Sequence, residues 1–194
     1  MIRSRRDYLR YLDADRVALG RQRMRFADRI IHLIAPDYIW TFQRLLRRLE
    51  YHKNVKNTGW LNRLMYLYLK LQYRRLSVKL SFTIPENVFG PGLAIVHYGT
   101  IVVNEQARVG ANCRIHVDTN IGASGGSERA PQLGDNVYVA PGVKIVGDVR
   151  IASNTVIGAN AVVNTSFEQE HMLIAGVPAR VIKPILIKEL IKHI

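Results

Sequence analysis

His97 is set apart by where it falls. From Pro91 onward aliphatic or small side chains recur every six residues, and a count in sixes puts His97 on the apolar position of its hexad. An imidazole on an inward position is costly unless it is hydrogen-bonded or used. With an ordinary pKa of about 6.5 it suits removing a proton from a hydroxyl near neutral pH. A corner histidine satisfied by its neighbours is the structural alternative. His116 follows nineteen residues later, one coil of eighteen plus one, so the two imidazoles are expected to be neighbours, with His116 outward, toward solvent or another copy. Asp118, Glu105 and Asn104 are near enough in sequence to orient an imidazole, and each equally suits a solvated turn. The single cysteine, Cys113, excludes an intrachain disulfide and any multi-thiolate zinc site. It falls on an inward small position, where it serves as core rather than as nucleophile.

The elements that must position these residues are legible in the same beat. Val109, Ile115 and Ile121 lead hexads, and Leu133, Val139, Ile145, Ile151, Ile157 and Val163 resume them after a gap. Four residues behind the leaders come Cys113, Thr119, Val137, Val143, Val149, Thr155 and Ala161. A period of six cannot keep one stripe on a helix of ~3.6 residues per turn, so the pattern predicts a solenoid with two inward positions per hexad. At three hexads per coil, Pro91 to Val163 makes about four coils. Gly110, Gly122, Gly134, Ala140, Ala152 and Gly158 follow the leaders, where a chain turning a corner is expected to favour little side chain. The interruption, Ala123 to Gln132, is polar and expected to loop out.

The first 80 residues read as helices. One is expected from Asp7 to Met24, one from behind Pro36 and Asp37 to about Tyr51, and one from Trp60 to near Leu80, after a polar turn at Asn54 to Gly59. The fold class is therefore α+β, with a helical region 1–80, a parallel β-helix 81–183 and a short C-terminal helix 184–194. No window reaches the ~20 apolar residues of a spanning helix, and the start, with Arg3, Arg5, Arg6 and Asp7, lacks the pattern of a secretory signal.

At the residues of its repeat half the chain resembles the hexapeptide-repeat acyltransferases, and within them the serine acetyltransferase-like branch found among polysaccharide-modifying enzymes. The resemblance rests on Ile95 to Thr100 around His97, on Val139 to Lys144, and on Ala175, Gly176, Val177, Pro178, Ala179 and Arg180. It implies a left-handed β-helix, a homotrimer with sites between neighbouring prisms, acetyl-CoA as donor and His97 as catalytic base. The positions implied for CoA are Gly122, Ala123, Ala140, Pro141, Gly158 and Ala159, with Arg180 and Lys183 for its phosphates. Tyr98, His116, Asp118 and Arg129 are the candidates for the acceptor. The related β-helical carbonic anhydrases use a His-x4-His pair that is missing here, so no metal is expected. The chain departs from serine acetyltransferases at two acid positions, occupied by Val96 and Phe82, and at Ala130, which follows Arg129 where that branch has a histidine. Charges for gripping an amino group are thereby lost, which points to a sugar hydroxyl of a surface polysaccharide or its precursor. Free serine, an amino-sugar nucleotide acylated on nitrogen, and a non-enzymatic scaffold are the competitors.

The net charge of +13 lies wholly in residues 1–80, which hold 19 Lys and Arg against 6 Asp and Glu, while the remainder holds 9 of each. No nucleic-acid reader motif accompanies it. Peripheral contact with anionic lipid, or attraction of an acidic or lipid-linked acceptor, is the functional expectation, in a cytoplasmic protein at the inner face of a membrane. Trp40, Phe42, Trp60 and Tyr68 serve either to pack the helices or to line an acceptor pocket.

Overall fold

The computed structural model describes residues 1–22, 35–56 and 58–194. Among the described residues three helices precede the repeats. The first, α1 (Arg5–Ala18), starts where the Ser4 hydroxyl accepts from the Asp7 amide at 3.0 Å, and stops at Gly20, whose φ is +66°. It is shorter than the expected Asp7 to Met24, and Met24 lies outside the described residues. In α2 (Tyr38–Asn54) the Asp37 carboxylate caps the Trp40 amide at 3.0 Å, as the Pro-Asp signal predicted. The third is α3 (Trp60–Leu80). Trp40 and Phe42 are buried and pack the helices, whereas Trp60 and Tyr68 stand exposed.

Beyond α3 short strands form three parallel sheets, the faces of a prism. The first contains β1 (Phe82–Thr83), β3 (Ile101–Val103), β6 (Thr119–Gly122), β9 (Lys144–Val146) and β12 (Val162–Val163). The second is β4 (Arg108–Val109), β7 (Gln132–Leu133) and β10 (Arg150–Ile151). The third is β2 (Ala94–Ile95), β5 (Arg114–Ile115), β8 (Tyr138–Val139), β11 (Val156–Ile157), β13 (Met172–Gly176) and β14 (Ala179–Pro184), of which only β14 is antiparallel. All the leading and fourth-position residues named above, Val109 to Val163 and Cys113 to Ala161, are buried. Val109 pairs with Leu133, twenty-four residues on, where Leu133 pairs with Ile151, eighteen on, so the interruption adds six residues to one coil. The tail after Pro184 forms one 3-10 turn, Ile187–Glu189, that buries Ile187 and Ile191 against the outer side of Val156.

The corners differ from expectation. At six of the corners the turning residue lies three after the leader, with φ of +57° at Asn112, +58° at Asp118, +56° at Asn136, +79° at Gly142, +59° at Asn154 and +58° at Asn160. Asparagine and aspartate tolerate this left-handed region better than other side chains with a Cβ. The glycines directly behind the leaders serve a different end: a Cβ on Gly110 would lie 2.6 Å from the Gly134 carbonyl oxygen, and one on Gly134 2.7 Å from the Ser153 amide. They are small because adjacent coils touch there.

The first coil has no coil before it, so its backbone needs other partners. The helices supply them. Asp15 Oδ1 accepts from the Gly92 and Leu93 amides, both at 2.9 Å, and Gln43 bonds Leu93 O at 2.6 Å and the Ile95 amide at 3.3 Å. Arg47, fully buried, donates to Phe89 O at 2.9 Å and Gly90 O at 2.7 Å, and also to Asp15 and Glu50. Its guanidinium thereby places all of its N–H groups, and although burial disfavours its charge, the Asp15 and Glu50 carboxylates outweigh this and hold its pKa above the already high value of arginine.

Candidate active site

The edge between the third and first sheets carries most of the candidate residues. Successive corners on it are 96–100, 116–118, 140–143 and 158–161, in neighbouring coils. Ile95 pairs with Ile115, twenty residues on, but Ile101 pairs with Thr119, eighteen on. The corner holding His97 is thus two residues longer than the one stacked on it. Counting in sixes assumed equal corners, and this difference removes His97 from the interior: the inward residue is Ile95, and His97 and Tyr98 are exposed. Among the described residues neither ring nitrogen of His97 has a hydrogen-bond partner, so the satisfied-corner alternative does not hold. Gly99 allows the long corner to close, since a Cβ there would come 2.4 Å from Val117 Cγ2, and its φ is +120°.

His116 is a neighbour, with ring centroids 6.2 Å apart, but it is buried, not solvent-facing. Its Nδ1 lies 2.9 Å from Val139 O. A carbonyl only accepts, so Nδ1 carries the proton and Nε2 presents its lone pair. That nitrogen points to the Tyr138 hydroxyl at 3.4 Å, and the two rings pack at 4.9 Å. Burial, followed by the charges of Arg114 and His97, lowers the His116 pKa even though the Val139 bond opposes this. Its imidazole is therefore held neutral beside an open one. Tyr138 was not anticipated, although it occupies the outward slot one lengthened coil after Arg114, beside the corner that holds His116. Arg21 was also missed: it comes from the helical region, pairs with Asp37 and interacts electrostatically with Tyr98, and nothing in the repeat pattern announces it.

The other candidates divide. Ala140, Pro141, Gly158 and Ala159 fall on the His97 edge in the third and fourth coils, roughly 10–15 Å along at ~4.8 Å per strand. Asp118 turns the corner between, its carboxylate held by Lys144 Nζ at 2.6 Å. Gly122, Ala123 and Arg129 lie on the next edge, across the first sheet from His97, so within one chain their backbone does not face it. Arg129 pairs with Asp148 at 2.9 Å in the exposed loop. Arg180 and Lys183 are exposed on β14, at the far end of the third sheet. Phe82 is core, which makes the substitution at that acid position a packing choice as well. Cys113 is buried and its pKa is pushed up to about 12 by desolvation, so it stays a thiol. Among the described residues no cluster of three His, Cys, Asp or Glu could hold a metal ion, and no helix is long and apolar enough to cross a membrane.

Comparison with known proteins agrees with this geometry. Residues 130–165 match the bacterial transferase hexapeptide (six repeats) family. The serine acetyltransferase of Staphylococcus aureus strain Mu50 is 35% identical over 101 residues, 51% of this chain and 47% of the relative. The chain is similar to the hexapeptide-repeat transferases and, among them, to serine acetyltransferases. It spans about half the length of the curated relatives it matches. Among solved structures, serine acetyltransferase from Brucella abortus strain S19 superposes on this chain with a TM-score of 0.68 at 25% identity, over 93% of this chain and 71% of that one. A serine acetyltransferase in complex with CoA gives 0.58 at 27%, over 75% and 57%. The prism is accordingly a left-handed β-helix.

Proposed function

We propose that the chain is an acetyl-CoA-dependent O-acetyltransferase acting on a sugar hydroxyl of a surface polysaccharide or its precursor. The observation that carries this is the lengthened corner of residues 96–100, which puts an open imidazole at the head of an edge where the small residues Pro141 and Ala159 are exposed, along the path an extended thioester arm would take. Relatives with CoA-bound structures support the donor. Gly122 and Gly158 do not need a ligand to explain them, since a Cβ at either would meet Asn120 Oδ1 or Ala175 Cβ within 3 Å. Gly122, Ala123 and Arg129 would complete the site from a neighbouring prism of a homotrimer.

In this reading His97 takes the proton of the acceptor hydroxyl as its oxygen attacks the thioester carbonyl carbon. The C–S bond then breaks, and the imidazolium returns the proton to the departing thiolate. General-base assistance of this kind contributes about 10²- to 10⁴-fold. Acetyl-CoA supplies the activated acyl group. Val96 and Ala130 stand where serine acetyltransferases carry charged groups that hold an amino acid, which favours a neutral acceptor.

Transfer to free serine is the second reading, favoured by the identity of the relatives. Thiol release from acetyl-CoA is to be measured with L-serine and, in parallel, with a panel of nucleotide-hexoses and neutral oligosaccharides. Alkali-labile acetate on a sugar supports the proposal, O-acetylserine as sole product replaces it with the second reading, and an alkali-stable amide overturns both. His97→Ala is expected to lower turnover by at least 10²-fold with an unchanged circular dichroism spectrum; unchanged turnover would remove His97 from the mechanism.

A further inference from the structure

The outward face of α3 does not suit a helix facing water. Its inner side is set by Leu69, Tyr73 and Leu80, which are buried. At 100° per residue the opposite arc carries Trp60, Leu61, Leu64, Leu67, Tyr68 and Leu71, and all six are exposed, Trp60 by 69% and Leu61 by 63%. A surface helix ordinarily places charge on this arc, and contiguous exposed apolar patches mark contact sites.

The charges on α3 are all of one sign. It holds Arg63, Lys70, Arg74, Arg75 and Lys79 and no acidic residue. Lys70 is engaged with Glu86, and Lys79 lies 3.7 Å over the Tyr38 ring. Arg63 and Arg74 border the apolar arc on one side and Arg75 sits within it near the C-terminal end; all three are exposed and have no ion pair among the described residues. We propose that this face of α3 lies in the plane of an anionic lipid bilayer, with the aliphatic side chains below the headgroups, Trp60 and Tyr68 at their level, and the arginines on lipid phosphates. A two-fold pairing of α3 on α3 fits the face poorly, because it would bring cations against cations with no carboxylate between them. The surplus of +13 in residues 1–80, against zero in the remainder, extends the attraction beyond the helix itself.

The chain has two tryptophans, of which Trp40 is buried and Trp60 exposed, so Trp60 reports on this face alone. Full-length protein is to be mixed with phosphatidylglycerol–phosphatidylcholine vesicles and with pure phosphatidylcholine vesicles at about 0.1 M salt, within the regime where screening leaves contact charges effective. The expected result is co-sedimentation and a blue shift of tryptophan emission with the anionic vesicles, with at least ten-fold weaker binding to the neutral ones. Leu64→Glu with Leu71→Glu, both at exposed positions, should abolish binding with helix content unchanged, and Trp60→Phe should retain binding while losing the blue shift. Absence of binding, equal binding to both vesicles, or binding undiminished by the double substitution overturns the proposal. So does concentration-dependent self-association without lipid that the double substitution removes, since the face would then belong to a second copy.

Discussion

His116 ties the site to pH through a buried, uncharged ring. Its pKa lies below the usual 6.5, mainly because burial disfavours the imidazolium, with Arg114 and His97 adding repulsion. The unfolded chain therefore binds a proton there before the folded one does, and the stability associated with this residue is complete above pH 6.5 and lost as pH falls through the depressed value. His116→Asn places an amide N–H where Nδ1 stood, keeping a donor for Val139 O, and removes the titration. The variant should accordingly lose less stability than the parent between pH 7.5 and pH 5 in urea midpoints, with His52 and His193 present in both as a common background. Parallel losses would show that His116 is not the group responsible. At this scale the sequence revealed the pair of histidines through coil-length arithmetic but exchanged their settings. The arithmetic takes every corner as equal, and two extra residues between Val96 and Thr100 turn His97 outward, while Tyr138 closes over His116.

Among the elements, the hexad was readable because burial alternates with the same period that the side chains obey, and every coil repeats it. What a count of small residues could not separate was turning from stacking. Gly134 sits where one coil touches the next, and Asn136 turns the corner at φ +56° while its side chain bridges Asn112 at 2.9 Å and Asn154 at 2.9 Å. Gly134→Ala forces a Cβ against the Ser153 backbone and should destabilise by about 1–3 kcal/mol, the range of an overpacked core. Asn136→Gly keeps the backbone conformation and loses only the side-chain ladder, so it should cost less, about 1–2 kcal/mol for two hydrogen bonds at a partly exposed site. Chemical denaturation that ranks the two in the opposite order would mean that the ladder, and not coil contact, fixes the spacing.

Across the whole molecule the cap and the prism depend on each other through a few polar side chains far apart in sequence. Asp15 and Arg47 are 32 residues apart and reach backbone that begins 42 residues beyond Arg47, so no local pattern exposes the network, even though the helices that bear it were legible. Replacing Arg47 by Met leaves two buried carboxylates without their cation and the Phe89 and Gly90 carbonyls without a donor. Breaking a buried pair in this way costs about 3–5 kcal/mol. Arg47→Lys should recover only part of it, because an ammonium has three donors for a set of acceptors that uses the whole guanidinium. The location of the network adds a sharper expectation. Cys113 is buried in the second coil and its thiol is silent in the native state, so its labelling by a thiol reagent reports opening of the prism, while far-ultraviolet circular dichroism reports mainly the helices. In the parent chain the two signals should change together along a denaturant series, as one cooperative transition. In Arg47→Met the helical signal should fall at lower denaturant than Cys113 becomes reactive, because the coils retain their stacking after the cap is lost. Coincident transitions in the variant would show that the first coil cannot stand without its cap at all.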